Sequence, residues 1–433
     1  MSLEPGSIEQ SDDVGVAAKP PFLRRVQIRG YKSIEFCDVM LEPLTVFVGR
    51  NASGKSNFLD ALGFLADLFD SNVAEAVKSR FGLQSIFTRG SPTQRIHFDI
   101  EGTFASLGKN YRFDFSILVA VGKHHQAEIS SEELEFTEVG SEEVHGFKRS
   151  GNKLDWFGNK ADRTLVEPVL KHDIWSDFVA HDHSVLSMIG RQPYLDLALS
   201  FRESDVFSFD PRTMRLPMPR GGYWSLLRDG SNLAQAIETL GEIEPRSLDR
   251  INRQLTAIVP DIISFAPGGE DDSRTVIFSL RHRLAEQPVD FRSWSMSDGT
   301  LRALASLVAI HQIFLPNGFP GFVGIEEPET SLHPAAADVL VEAFEEATLR
   351  TQILLSTHSV EFLNHSAIQP KNVRIVQTRN GRTEITPIDA ASDEIVAEHL
   401  ETLGDLERQD RLEINVDDLE RQGRLARNGV AHP

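Results

Sequence analysis

The feature that most restricts how this chain can fold is a glycine-framed loop held between two apolar segments. Leu44–Gly49 (LTVFVG) is a nearly continuous apolar run, the pattern of a buried strand, and Ser56–Phe69 repeats Phe58, Leu59, Leu62, Leu65 and Phe69 at helical spacing. Between them Gly49-Arg50-Asn51-Ala52-Ser53-Gly54-Lys55-Ser56 fits the pattern GxxxxGK(S/T). Gly49 and Gly54 let the backbone wrap so that successive N–H groups point at phosphate oxygens, and the following helix adds its positive end. Lys55 is placed to reach the β- and γ-phosphates as a point charge, and the Ser56 hydroxyl to ligate Mg2+. Arg50, Asn51, Ala52, Ser53 and Asn57 are expected to complete the contacts to the nucleotide.

Around this unit, strands and helices alternate. LRRVQIRGYKSIEFCDVML (23–41) reads as edge strands leading into the buried strand, and Arg95–Ile100, Tyr111–Val121 and Gln126–Val139 again alternate apolar with polar. Gly299–Phe314 is a strong helix, followed by a second buried strand at Gly321–Ile325, a helix over about Pro334–Ala347 and a third strand at Gln352–Leu355. This order predicts an α/β head with a mixed, largely parallel sheet covered by helices, and an inserted α+β subdomain. The expected division is a disordered leader (1–20), an N-lobe with the loop (21–121), the insert (122–285), a C-lobe (286–390) and a charged helical tail (391–433). Lys+Arg number 44 against Asp+Glu 64 in 433 residues, a charge of −20, with 40% hydrophobic and 25% charged residues. That composition belongs to a globular chain and excludes a mostly unfolded one. The longest mainly apolar stretch, Ala303–Ile310, is broken by Ser306 and far short of the ~18 residues that span a bilayer, so no membrane association is expected. The lone Cys37 and a start without a basic head and apolar run point to the cytoplasm. The negative charge argues against coating the surface with nucleic acid, yet leaves room for DNA at a local basic groove.

Three further motifs carry chemistry. Phe322-Val323-Gly324-Ile325-Glu326-Glu327 is an apolar strand ending in two carboxylates, at the edge where open α/β sheets bind ligands. Glu326 is a candidate for the Mg2+ shell and Glu327 for polarising an attacking water. Ser295-Met296-Ser297-Asp298-Gly299-Thr300 opens the Leu301–Phe314 helix with small polar residues, either as a plain N-cap or as a second anion-binding helix start through Ser297 and Gly299. Leu354-Leu355-Ser356-Thr357-His358-Ser359 places His358 just beyond a buried strand, within reach of a γ-phosphate.

With Lys55, Ser297, Glu327 and His358 in this order, the chain resembles the ABC-type ATPases of the RecF, SMC and OLD group, and among them the stand-alone AAA family proteins. In that resemblance GRNASGKS is the Walker A loop, MSDGT the signature, GIEEPETSLHP the Walker B and D-loop, and STHS the switch histidine. The likeness covers about residues 22–122 and 285–390, with LRDGSNLAQAI (227–237) familiar in between. Transporter ATPases carry Asp where Glu326 stands and two glycines where Asp298 and Gly299 stand, so the EEPE and SDG forms resemble the RecF/OLD side. The separation of Lys55 from Ser297, 297 − 55 = 242 residues, disfavours a transport subunit. Gln84 and Gln94 both stand as Q-loop candidates. Beyond His358 only 433 − 358 = 75 residues remain, too few for a toprim nuclease.

The resemblance implies ATP and Mg2+ as ligands, ATP hydrolysis, and a homodimer or higher oligomer in which Ser297 and Gly299 of one copy complete the site holding Lys55 of the other. It also implies regulation of a separate, nuclease-like effector in DNA-related or anti-phage defence, with a RecF-like DNA-binding repair ATPase as the alternative. His181-Asp182-His183, with His172-Asp173, matches no standard zinc spacing. Arg212, Arg215 and Arg220, and Lys148, Arg149 and Lys153, form short basic patches that read as solvated faces more readily than as DNA contacts.

Overall fold

The computed structural model describes residues 22–91, 93–122, 125–158, 181–219, 221, 225–269, 272–312 and 320–428. The expected leader, His172, Asp173 and Arg220 lie outside the described residues. Strands β1 (Leu23–Tyr31) and β2 (Ile34–Met40) form a hairpin, while β3 (Leu44–Val48) departs into a different sheet. The hairpin is extended by β4 (Arg95–Ser106), β5 (Lys109–Val121), β6 (Ala127–Glu138), β7 (Val144–Ser150) and β8 (Lys153–Phe157) into a seven-stranded antiparallel sheet, order β2-β1-β4-β5-β6-β7-β8. Alternation decides its faces. Phe98, Ile100, Phe113, Phe115 and Ile117 point into the core, while Asp99, Glu101, Arg112 and Asp114 between them point out.

The second sheet holds the loop. Strand β9 (Asp205–Phe207) and then β14 (Phe322–Glu326), β15 (Gln352–Thr357), β16 (Val373–Arg379) and β17 (Arg382–Pro387) join β3 in the order β17-β16-β3-β15-β14-β9. It is parallel throughout except for the β16–β17 pair. All of β3 and all of β15 are buried, as a parallel sheet covered on both faces requires. The helix Lys55–Asp70 lies between the two sheets, sharing a core with Phe47 and Leu354 on one side and Phe98 and Phe115 on the other. The far face of the parallel sheet, with Val46, Val48 and Leu355, packs on the helices Asp298–His311 and Pro334–Ala347. Truncating one of these fully buried rings, Phe98 for example, costs about 3–5 kcal/mol. Strands β10 (Met218–Pro219), β11 (Ile262–Gly268), β12 (Ser273–Leu280) and β13 (Val289–Arg292) make a small third sheet beside the helices Leu233–Ile243 and Pro245–Ile258.

The expected helix-covered, largely parallel sheet is therefore the six-stranded one, and three expectations about its surroundings change. Strands β1 and β2 do not flank β3. The boundary placed at 122 falls in the turn joining β5 to β6, whose register runs from Tyr111↔Glu138 to Val121↔Ala127. The boundary placed at 285 falls between the paired strands β12 and β13. Within 122–285, β6–β8 prolong the antiparallel sheet and β9 forms an edge of the parallel one. Unpaired strand edges need partners, and hydrophobic period alone does not say which sheet supplies them.

Two polar assemblies fasten the fold. Arg80, almost fully buried, reaches Asp60 at 2.9 Å and Asp67 at 2.5 Å on the Lys55–Asp70 helix, and Arg228 reaches Asp67 at 2.5 Å. After β17 come helices Ala390–Ala397, Leu403–Arg408 and Val416–Asn428. The last docks across both sheets. Gln422 accepts from the Asp38 N–H in β2 at 3.1 Å and donates to the Ile385 carbonyl in β17 at 2.8 Å, and Arg421 pairs with Asp38. Among the described residues, no helix is long and apolar enough to cross a membrane.

Candidate nucleotide site

Strand β3 delivers the chain to a loop whose backbone only glycine can follow at two points. Gly49 has φ +155°, and a Cβ there would lie 1.9 Å from the Val376 carbonyl oxygen; Gly54 has φ +108°, and a Cβ would lie 2.0 Å from the Thr383 hydroxyl. Hydroxyls from β16 and β17 hold the loop from outside. Thr378 donates to the Ala52 and Ser53 carbonyls, each at 3.1 Å, and Thr383 to the Ser53 carbonyl at 3.1 Å. Asn57, expected at the nucleotide, donates instead to the Ser33 hydroxyl at 2.6 Å, which in turn lies 2.7 Å from the Thr383 hydroxyl. Its place is in the scaffold that holds the loop. The Ser53 hydroxyl is buried and has no partner, a polar atom of the cradle left for something else to satisfy.

Lys55 is buried at the first turn of its helix, and its ammonium donates to the Gly49 carbonyl at 2.6 Å, the Arg50 carbonyl at 3.2 Å and His358 Nε2 at 2.7 Å. Burial lowers its pKa, against the pull of Glu327, Glu407, Glu326 and Glu329. Since the ammonium has no lone pair, His358 must accept through Nε2 and is neutral. Burial and then Lys55 hold its pKa below the ordinary imidazole value.

The register of the parallel strands explains why these groups meet. Glu326 lies opposite Ser356, and Thr357 opposite Val48, so β3, β14 and β15 end together at one edge of the sheet. Burial raises the pKa of Glu326, while hydrogen bonds from Ser56 and Ser208, the latter at 3.2 Å, pull it down. Glu327 turns off the strand with φ +43°, its N–H donating to the Ser356 carbonyl at 3.0 Å, and its carboxylate lies 3.6 Å from His358 Nε2. Pattern reading missed one acid here. Glu329 accepts from the Thr357 hydroxyl and, at 3.4 Å, from the His358 N–H, so it fixes the backbone that carries the histidine. Its other oxygen is buried without a partner, and burial raises its pKa. The signal was present in the EEPE run, where a third carboxylate follows the turn-forming proline.

Ser297 and Gly299 are held by contacts of their own. The Ser297 hydroxyl caps its own helix, accepting from the Thr300 N–H at 3.1 Å. Gly299 packs so closely that a Cβ would lie 2.3 Å from the Ser331 carbonyl oxygen. Arg215, from one of the basic patches, clasps this turn by donating to the Met296 carbonyl at 2.8 Å and Asp298 at 2.5 Å. The other patches are spent on neighbouring acids: Lys148 on Glu133 at 2.6 Å, Lys153 on Asp155 at 2.8 Å and Arg212 on Asp210 at 2.9 Å. Arg149 is a correction, because alternation along β7 turns it inward, where it binds the His183 and Ile129 carbonyls. Asp182 accepts from the Ala74 N–H at 3.1 Å. Gln84 and Gln94 are both exposed, and neither is chosen by a contact to the cluster.

Residues 44–364 match the family described as "AAA domain, putative AbiEii toxin, Type IV TA system". The chain belongs to this AAA domain family. The matched span holds all four motifs on which the resemblance to the RecF, SMC and OLD group rests, from Lys55 to His358. Part of it is similar to the DNA replication and repair protein RecF of Renibacterium salmoninarum, 34% identical over 85 residues, 18% of this chain and 21% of that protein. The RecF of an Arthrobacter species is 32% identical over 95 residues, 20% of this chain and 24% of the relative. The chain thus spans less than a quarter of the length of these curated relatives. Among solved structures it is similar to an SmcHead bound to the C-winged helix domain of ScpA, at 15% identity and a TM-score of 0.48, over 86% of this chain and 99% of that one. The SMC head domain from Thermotoga maritima gives 12% identity and a TM-score of 0.41, over 85% and 99%.

Proposed function

We propose that this chain binds ATP with Mg2+ at the loop 49–56, hydrolyses it slowly, and uses the bound triphosphate to clamp two copies head to head. The clamp would regulate a separate, nuclease-like effector in DNA-related or anti-phage defence. The observation that carries the reading is the meeting, at one strand edge, of the Lys55 ammonium, the carboxylates of Glu326 and Glu327 and a neutral His358, beside the unpartnered Ser53 hydroxyl. Lys55, held by two carbonyls and a histidine, has the donors to take phosphate oxygens in their place. Ser56 and Glu326 would hold Mg2+, which supplies the positive charge that lets a polyanion approach so acidic a pocket. Glu327 would take a proton from an attacking water, and His358, released by Lys55, would contact the γ-phosphate. Glu329, through the Thr357 hydroxyl and the His358 N–H, keeps that histidine in place.

Ser297 and Gly299 would supply a second anion-binding turn, which the family resemblance assigns to the site of a second copy. The effector role rests on the family's toxin–antitoxin description. The test is light scattering of a Glu327→Gln variant, which binds without turnover. Its mass doubles on adding Mg-ATP, and an unchanged mass counts against the clamp. The local identity to RecF favours a second reading, a RecF-like repair ATPase that itself binds DNA. Duplex binding at low salt by the ATP-loaded protein, weakening steeply as salt rises, would favour it.

A further inference from the structure

The segment after β17 returns to the loop. Helix Leu403–Arg408 packs on Val360–Leu363, the helix that directly follows the switch histidine. The contact is so close at Gly404 that a Cβ would lie 2.4 Å from both the Val360 carbonyl oxygen and Asn364 Oδ1, and the Gly404 N–H donates to that Oδ1 at 3.0 Å. At its other end the helix closes with a left-handed residue, Asp410, at φ +57°, followed by an Arg411 N–H that donates to the Leu406 carbonyl at 2.8 Å. Glu401 braces this turn, taking Arg411 at 2.6 Å and the Gln409 amide at 2.9 Å. So held, the Asp410 carboxylate accepts from one edge of the Arg50 guanidinium within the loop, Nε to Oδ1 at 3.3 Å and Nη2 to Oδ2. Glu407, one turn back, feels both loop cations: burial and Asp410 push its pKa up, while Lys55 and Arg50 draw it down.

We propose that residues 403–411 form an acidic latch on the loop 49–56, in which Asp410, with Glu407 one turn back adding its charge, competes with the phosphates of a nucleotide for Arg50. The inference rests on the reading of that loop as a nucleotide site and adds a regulator to it. A phosphate chain and two carboxylates cannot crowd round one cation without strong repulsion. The backbone turn and the Gly404 contact set where the latch lies, while its grip is an ion pair with 81% of the Arg50 side chain and 69% of the Asp410 side chain exposed. Such pairs are weak and easily broken, which suits a device that must yield to its ligand. Since the same helix leans on Val360, its departure is also felt beside His358.

The test uses the full chain and calorimetry of Mg-ATP binding. A Glu407→Gln/Asp410→Asn variant removes the charges and keeps the turn, because asparagine accepts a left-handed backbone. The variant is expected to bind roughly three- to tenfold more tightly than the parent, the range that relief of one or two partly screened charge contacts gives. Hydrogen exchange of amides 403–411 in the parent is expected to quicken when Mg-ATP is added. Unchanged or weaker binding by the variant overturns the latch, as does exchange that stays the same or slows. Lys55→Ala in both backgrounds separates the two failures. If it takes up Mg-ATP as tightly as the parent, the nucleotide reading itself has failed; if Lys55 is required yet the variant binds no tighter, only the latch has.

Discussion

The two halves of the proposed nucleotide site are built in opposite ways. Around the loop 49–56 the groups that matter hold one another: Lys55 reaches loop carbonyls and His358, His358 nears Glu327, and Glu329 pins the histidine's backbone. At Ser297–Gly299 the contacts are local, a cap, a close backbone approach and the Arg215 clasp. The first half has its chemistry assembled within one chain. The second is a capped turn held by its own neighbours, and in the proposed clamp it would serve the site of another copy. Variants in the first half should therefore change binding or chemistry in a single chain, and those in the second only steps that need two.

The largest effect is expected from Lys55→Ala. Loss of a buried cation from the cradle should weaken Mg-ATP binding about a hundredfold, near 3 kcal/mol by calorimetry. Next comes Glu329. Glu329→Ala should lower kcat about tenfold with KM little changed, because the switch histidine loses its support, and Glu329→Gln should restore most of the rate. Equal damage from both variants would mean that the charge, not the brace, is what counts. A smaller effect is expected from Arg215→Ala. Freeing the Met296–Asp298 turn should cut steady-state hydrolysis about threefold while leaving ATP affinity in dilute protein unchanged. A fall in affinity would erase the contrast between the halves.

On the site itself the smallest effect, an unchanged ATP affinity, is expected from His311, which lies outside both halves and serves as a control. His311 is buried, and its pKa is lowered to about 4 by burial, then by Arg350 and Arg250. Between pH 6.5 and 4 the unfolded chain takes up a proton that the folded chain refuses. Stability present above pH 6.5 is lost as pH falls through that window, by roughly 2–3 kcal/mol. A His311→Gln variant should show a flatter fall in Tm over the same range, with ATP affinity at pH 7.5 unaltered.

Much of the first half was legible because its chemistry is contiguous in sequence. The loop announces itself by glycine spacing between an apolar strand and a helix, and the Glu326–Glu327 pair by ending an apolar strand. Adjacency to Lys55 does not say which way a side chain on the first helical turn points, and that of Asn57 turns to Ser33. Glu329 was hidden because its partners, Thr357 and the His358 N–H, are 28 and 29 residues away. The parallel sheet could be read from its continuous apolar strands. Its neighbour could not be separated from it, since β1 and β2 alternate like any half-buried strand and only pairing with β4 assigns them. The pairing of strands across positions 122 and 285 was hidden for the same reason, and β9, three residues long, carries no period of its own.

The Lys55–Asp70 helix has cores on two sides and is fastened by arginine near its end. Sixteen residues make a rod of roughly 24 Å. A rod with no slack flank cannot absorb a push at its tip by bending sideways. A shift imposed on the loop 49–56 is carried along the rod toward Asp67, where Arg228 links it to the segment 225–230 and, through the Asp205 side chain, to the rim of the parallel sheet. Since the Arg228 carbonyl also accepts from the Ser208 N–H, and the Ser208 hydroxyl donates to Glu326, that path closes on the acidic end of β14.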